Sequence, residues 1–351
     1  MALEIGVIQR FLPPDSRGGA GHFTVGLCAG LAARGHHVTV FSHDRGPASA
    51  PFSVVQVPGG EKRLAPIAFP RQLRGLDFSR FDVIHAQGDD QFIRHAGRPV
   101  VRTLHGSSLD EAKANGLHGL SPKHLLLHAW FYQGELIASM RADAVAGVSA
   151  AAGRHVPRTI DVIPNGVDVG AFAPDGTPKS AAPSILFVGE LDSRKRGRWL
   201  VRQFVERVRP RLPSAELWLV SPDSAEGPGV VSLGPLNDAA LRDRFRRAWV
   251  MCLPSTYEGF GRPYVEAMAA GTAVVASSNP GAIDVLDGGR YGVIADDDRL
   301  PDTLIDLIAS DERRRTLEHA GLARARQYDW PAVVDAYEDL YARVLNRRRR
   351  A

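Results

Sequence analysis

Cysteine is nearly missing from this chain: two among 351 residues, Cys28 and Cys252, both set in apolar runs. Two such thiols read as small buried side chains of a reducing compartment and argue against a disulfide framework. Nowhere does an apolar run reach the ~18 residues that would mark a transmembrane helix. The N-terminal MALEIGVIQRF goes straight into an apolar strand, leaving no space for a signal peptide, so a cytoplasmic location is expected. Metal-site spacing is lacking too: His124 and His128 are four apart without an evident carboxylate partner, which makes zinc a poor fit. Arg71, Arg74 and Arg80 have no interleaved aromatics, so no nucleic-acid platform is expected.

What is present suits two domains of ordinary size, each able to bury a core: 44% of the residues are hydrophobic and 35 are glycine. Net charge is +4, part of it in the four arginines 347–350. That tail reads as a frayed, solvated end; the functional alternative is a weak peripheral contact with anionic lipid at a membrane inner face. The positive balance is compatible with phosphate-bearing substrates.

The most informative stretch is 254–271, PSTYEGFGRPYVEAMAAG. The short apolar run 248–253 before it, closed by Pro254, has the pattern of a buried strand. Behind it Val265, Met268 and Ala269 recur at helical spacing, Pro263 suits a first turn and Gly271 a C-cap. Between strand and helix lies Glu258-Gly259-Phe260-Gly261, whose glycines let backbone approach a ligand, while unpaired N–H groups at a helix start favour an anion. The result is a cradle for a phosphate or diphosphate. Glu258 and Glu266 bracket it, eight residues apart. A solvent-facing glutamate is the plain alternative, and it suits Glu266 less because Tyr, Val, Ala and Met surround it.

A Glu, seven residues and a second Glu, with Gly-Phe-Gly behind the first, resembles the signature of glycosyltransferase family 4, retaining enzymes of GT-B fold that use nucleotide sugars. The resemblance implies an α/β chain of two Rossmann-like domains facing across a cleft. A nucleotide-diphosphate sugar would occupy the second domain and a hydroxyl acceptor the first. It further implies that Glu258 and the N–H groups of Gly259, Phe260 and Gly261 hold donor-sugar hydroxyls and the diphosphate, and that Glu266 binds the ribose. Neither cofactor nor metal is implied, because positive side chains replace a divalent ion.

In chain order, residues 3–7 read as a strand, 23–33 as a helix and 37–41 as the next strand, the start of a βαβ unit. The intervening loop lacks the third glycine of a dinucleotide fingerprint, which disfavours an NAD enzyme. By resemblance, Gly18 and Gly19 open toward the donor phosphate and Arg17 toward the acceptor; a merely flexible loop is the alternative for Arg17. Residues 54–57, 81–85, 100–104 and 142–148 read as further strands. His85 and His105 stand at strand ends, where open α/β sheets bind ligands. His85 reads better as a structural residue. His105 matches a histidine that the family places beside the transferred sugar, where it could meet a sugar hydroxyl or a phosphate. Residues 109–140 read as a helix with one apolar face, from which Asp110 and Glu111 could reach acceptor hydroxyls. The IPNGVD at 163–168 matches a segment the family carries near the end of its first domain.

The expected boundaries are a first domain over 1–172, a linker over 173–184 rich in Pro, Ala, Gly and Ser, a second domain over 185–330, and a helix over 331–351 crossing back. After the strand 185–188 comes a glycine turn, then Arg194, Lys195 and Arg196, whose forked and compact cations could neutralise a diphosphate. The family has Lys where Lys195 stands, but Arg where Glu190 stands; Arg194 or Arg196 could compensate for that departure. His105, Lys195 and Glu258 are the expected catalytic residues, Glu258 not as a covalent nucleophile. The expected function is retaining hexosyl transfer from a nucleotide-diphosphate sugar to a small-molecule, glycan or lipid-linked acceptor. Its rivals are a nucleotide-sugar epimerase or hydrolase on the same fold, and a non-catalytic sugar-nucleotide-binding module. A glycoside hydrolase fits less well, since its two carboxylates must flank a glycosidic bond.

Overall fold

The computed structural model describes residues 2–14, 18–58, 65–114 and 122–350. The chain forms two compact units: Met1–Gly166 together with Trp330–Ala351, and Val167–Asp329.

In the first unit the short apolar runs become strands β1 (Glu4–Ile8), β2 (His37–Ser42), β3 (Ser53–Gln56), β4 (Val83–Ala86), β5 (Val100–Leu104), β6 (Ala144–Gly147) and β7 (Asp161–Val162). They pair in parallel, in the order β3-β2-β1-β4-β5-β6-β7. A parallel sheet is covered on both faces, which is why β4 and β5 are buried at every position instead of alternating. Helices α1 (Gly19–Ala33), α2 (Ala65–Leu73), α3 (Ser108–Ala114) and α4 (Pro122–Arg141) lie in the crossovers. The single helix expected over 109–140 is thus two: α4 starts afresh at Pro122, a residue suited to a first helical turn.

The second unit contains α5 (Val169–Phe172), β8 (Ser184–Val188), α6 (Gly197–Gln203), β9 (Glu216–Val220), β10 (Val230–Ser232), α7 (Asp238–Arg247), β11 (Val250–Leu253), α8 (Arg262–Ala269), β12 (Ala273–Ser277), α9 (Pro280–Val285), β13 (Val293–Ala295), α10 (Leu300–Ala309) and α11 (Asp311–Ala325). Its parallel sheet runs β10-β9-β8-β11-β12-β13. Counted from its own first strand, each sheet has the doubly wound order 3-2-1-4-5-6, to which the first adds a seventh strand, β7, at its edge. That order reverses between β1 and β4, and again between β8 and β11, and such switch points are where these sheets bind ligands.

The chain passes between units at 166–167 and 329–330. The stretch 173–184, expected as a linker, is instead tied into the second unit. Lys179 Nζ donates to Ala248 O, Gly271 O and Thr272 Oγ1, each at 2.8 Å. Ala248 closes α7 and Gly271 follows α8, so one ammonium serves carbonyls that helix ends leave without partners.

The last helix, α12 (Trp330–Arg350), belongs to the first unit. Its stripe Val333, Val334, Tyr337, Leu340, Tyr341 and Val344 enters the core that holds Ile5, Phe23, Leu27 and Val83. The arginine tail is helical as far as Arg350 rather than frayed, and Arg348 forks onto Asp143 at 2.9 and 3.0 Å.

Candidate active site

In the second unit the switch point is furnished by two loops. After β11, Glu258 is buried, its Oε1 accepting from Ser255 Oγ at 2.9 Å and its Oε2 from Arg194 Nη2 at 3.4 Å. Its carbonyl oxygen accepts the Gly281 N–H of α9 at 2.9 Å, which anchors the loop from below. The chain then turns at Gly261, the residue before α8, with φ +87°. A Cβ there would stand 2.4 Å from the Tyr264 ring, so both dihedral and space require glycine. Phe260 turns its ring inward onto Tyr328, centroids 5.6 Å apart. Glu266, one turn into α8, is 8% exposed and pairs with Arg262 at 3.3 Å.

The loop after β8 carries the cations. Gly189 has φ +146°, and a Cβ on it would lie 2.3 Å from Lys195 Cδ. The bare backbone lets the lysine stem lie across the strand end, where Nζ donates to Val188 O at 3.1 Å. Among the described residues that carbonyl is its partner, so two of its three N–H groups are uncommitted. Arg194 Nε donates to Tyr257 O at 3.0 Å and the Arg194 carbonyl accepts from Thr256 N at 2.9 Å, which stitches the two loops together. Arg196 goes elsewhere. At φ +59° it turns to fork onto Asp297 at 2.9 and 2.7 Å, with its guanidinium 4.1 Å from the Trp199 ring centroid. Glu190 is exposed.

In the first unit, the ends of β4 and β5 bring together residues that lie far apart in sequence. His105 Nε2 is 2.7 Å from Gln87 Oε1, and its ring packs edge-on to Phe23 with centroids 5.1 Å apart. Burial, with Arg102 adding its positive charge, pushes the His105 pKa down to about 4. His85 is fully buried in the core, and burial followed by His105 lowers it to about 3. Asp110 is engaged by His155 at 2.8 Å, Glu111 is exposed, and Gly19 opens α1 in free space. Arg17 lies outside the described residues.

Comparison with known proteins agrees with this geometry. The family model described as Glycosyltransferase Family 4 matches residues 17–171, and that described as Glycosyl transferases group 1 matches residues 182–310. The phosphatidyl-myo-inositol mannosyltransferase of Mycobacterium tuberculosis is 28% identical over 370 residues, covering 94% of each chain. This chain belongs to glycosyltransferase family 4.

The fold of this glycosyltransferase is GT-B. Sucrose-phosphate synthase from Thermosynechococcus elongatus superposes with a TM-score of 0.79 at 21% identity, covering 98% of this chain and 99% of the other. Anabaena HepE in complex with UDP-glucose superposes at 0.72 and 17% identity, covering 97% and 99%. Three residues of the glycosyltransferase escaped the reading of its sequence. Ser255 holds Glu258 directly. Asn279 caps α9 through Ala282 N at 2.9 Å while its amide donates to Ser255 O at 3.2 Å and to Tyr264 OH at 3.1 Å. Gln87 holds His105. Asn279 did leave a signal, an Asn-Pro pair at a helix start. Gln87 and Ser255 are single polar residues past strand ends, with no periodicity to single them out.

Proposed function

We propose that this glycosyltransferase moves a hexose from a nucleotide-diphosphate sugar to a hydroxyl acceptor, with retention at the anomeric carbon and without a cofactor or metal. The observation that carries the reading is the pairing of the fixed 258–261 turn with a half-committed Lys195 at one switch point. Backbone N–H groups at the start of α8 and the Lys195 ammonium would together face the diphosphate, with Arg194 beside them and Glu266 at the ribose. Donors already in place where charge develops on a leaving group lower a barrier without reorganising. The acceptor hydroxyl oxygen then bonds to the anomeric carbon on the face the diphosphate leaves. The carbon–oxygen bond to the β-phosphate breaks, and the proton passes to a phosphate oxygen. Gly19 is assigned to the donor phosphates, and Arg17, Asp110 and Glu111 to the acceptor; Arg196 falls outside the scheme because Asp297 holds it.

The mannosyltransferase relative and the UDP-glucose complex of HepE support a nucleotide-activated hexose. The same relative, with phosphatidyl-myo-inositol in its name, favours a lipid-linked polyol acceptor, which would bring the enzyme to a membrane inner face from the cytoplasm. No helix among the described residues is long and apolar enough to cross a membrane. The test is incubation with UDP-, GDP- and dTDP-linked hexoses, a panel of polyol and lipid acceptors, and product analysis by NMR. An α-linked product from an α-linked donor supports the reading. Isomerised nucleotide sugar, or inverted linkage, refutes it.

A further inference from the structure

Behind His105 runs a chain of hydrogen bonds that ends on α12. Gln87 Oε1 meets His105 Nε2 at 2.7 Å, Gln87 Nε2 meets His85 Nε2 at 3.1 Å, and His85 Nδ1 meets the Tyr341 hydroxyl at 2.7 Å. Thr103 Oγ1 joins at His85 Nε2, 2.8 Å away, and lies 2.9 Å from the Tyr337 hydroxyl. Each link constrains the next. The Gln87 amide turns its oxygen to His105 and its nitrogen to His85, and an amide oxygen only accepts whereas an amide nitrogen only donates. His85 Nε2 therefore accepts, and its Nδ1–H donates to Tyr341. The amide oxygen faces His105, whose Nε2–H donates to it. Reversing the amide would protonate His105 at Nδ1 and strand a buried N–H. His105 Nδ1 is indeed buried and has no hydrogen-bond partner among the described residues. With the proton on Nε2, that nitrogen carries a lone pair.

We infer that Gln87 and His85 are positioning residues that lock His105 in its Nε2–H tautomer, so that Nδ1 accepts a hydrogen bond from a hydroxyl of the transferred sugar. This rests on the reading of His105 as a transfer residue and narrows what it touches. A lone pair can receive a hydroxyl proton, whereas a phosphate oxygen has none to give, so His105 is a sugar contact and not a phosphate contact. Burial holds both rings neutral, His85 at about 3 and His105 at about 4, so the tautomer persists across the working pH range. The lock explains why a histidine with no exposure sits two residues before Gln87: it gives the glutamine amide an acceptor for its nitrogen, which aims its oxygen.

The test is nitrogen NMR on the full chain labelled with 15N-histidine, beside steady-state transfer kinetics. The wild-type His105 signal should show Nε2 protonated and Nδ1 bare at neutral pH. Gln87→Leu should shift that signal toward the Nδ1–H form and lower kcat about tenfold, the loss of one hydrogen bond, with nucleotide affinity unchanged. Gln87→Glu, which still accepts from Nε2–H, should keep the wild-type tautomer even if Gln87→Leu folds poorly. A protonated Nδ1 in the wild type, or an unshifted signal in Gln87→Leu, overturns the lock while leaving a role for His105 intact. Wild-type turnover by His105→Ala overturns the role itself, whatever the spectrum shows.

Discussion

Lys195 reaches its position because Gly189 has no side chain, and one carbonyl engages one of its three N–H groups. Replacing it with Ala should weaken binding of a nucleoside diphosphate and lower kcat/KM by about 10²-fold or more, the typical effect of deleting one preorganised donor. Titration calorimetry with UDP or GDP checks this, and unaltered affinity would contradict the assignment. His105→Ala should behave differently, cutting transfer while sparing nucleotide affinity, because a ring accepting from a sugar hydroxyl makes no phosphate contact. Single-turnover rates set beside equilibrium binding separate the two effects. Single residues were unevenly legible. Lys195 and His105 stood out because each follows a strand end and matches a residue of the pattern that the sequence resembles. Arg196 could not be told from Arg194 in the sequence, since both are arginines in one basic run. A left-handed residue at Arg196 sends that side chain to Asp297, a partner 101 positions away.

At the level of elements, the turn between β11 and α8 is the least tolerant piece of the second unit. Gly261→Ala would force a Cβ into a left-handed position facing the Tyr264 ring, so a loss of about 1–3 kcal/mol is expected. Nucleotide affinity should fall with it, since the same turn aims the α8 N–H groups. Thermal unfolding with and without nucleotide reads both; an unchanged melting point would mean that the turn relaxes freely. Elements were also where sequence reading succeeded most. Continuous apolar runs such as 250–253 became fully buried parallel strands because a sheet covered on both faces removes alternation. It failed where chemistry at a boundary was long-range. The Pro- and Ala-rich segment 173–184 has linker composition, yet Lys179 ties it down to three oxygens from residues 248–272, contacts no local pattern announces. The helix over 109–140 was read through Pro122, where α4 begins again.

For the molecule as a whole, acid should act first on the first unit. His85 and His105 titrate at about 3 and about 4 when folded, against about 6.5 for a histidine in the unfolded chain. Between those values the unfolded chain binds more protons, so stability is fully present above about pH 6.5 and falls as pH drops through that window. His85, with no exposure, should contribute a slope of up to about 1.4 kcal/mol per pH unit there. Urea unfolding of the first unit at a series of pH values measures it; His85→Gln, which cannot protonate, should reduce the slope to the part that His105 contributes, and a flat wild-type profile would contradict the assignment.

The return of α12 also bears on synthesis. Strands β1 to β7 leave the ribosome before any of the second unit, yet their core lacks Tyr337, Leu340 and Tyr341 until the final codons are read. The second unit has no such debt to later sequence and can close while translation continues. The amino-terminal portion is therefore the earliest made and the latest completed, and a ribosome stalled before residue 330 would release a chain whose nascent apolar surface invites chaperones.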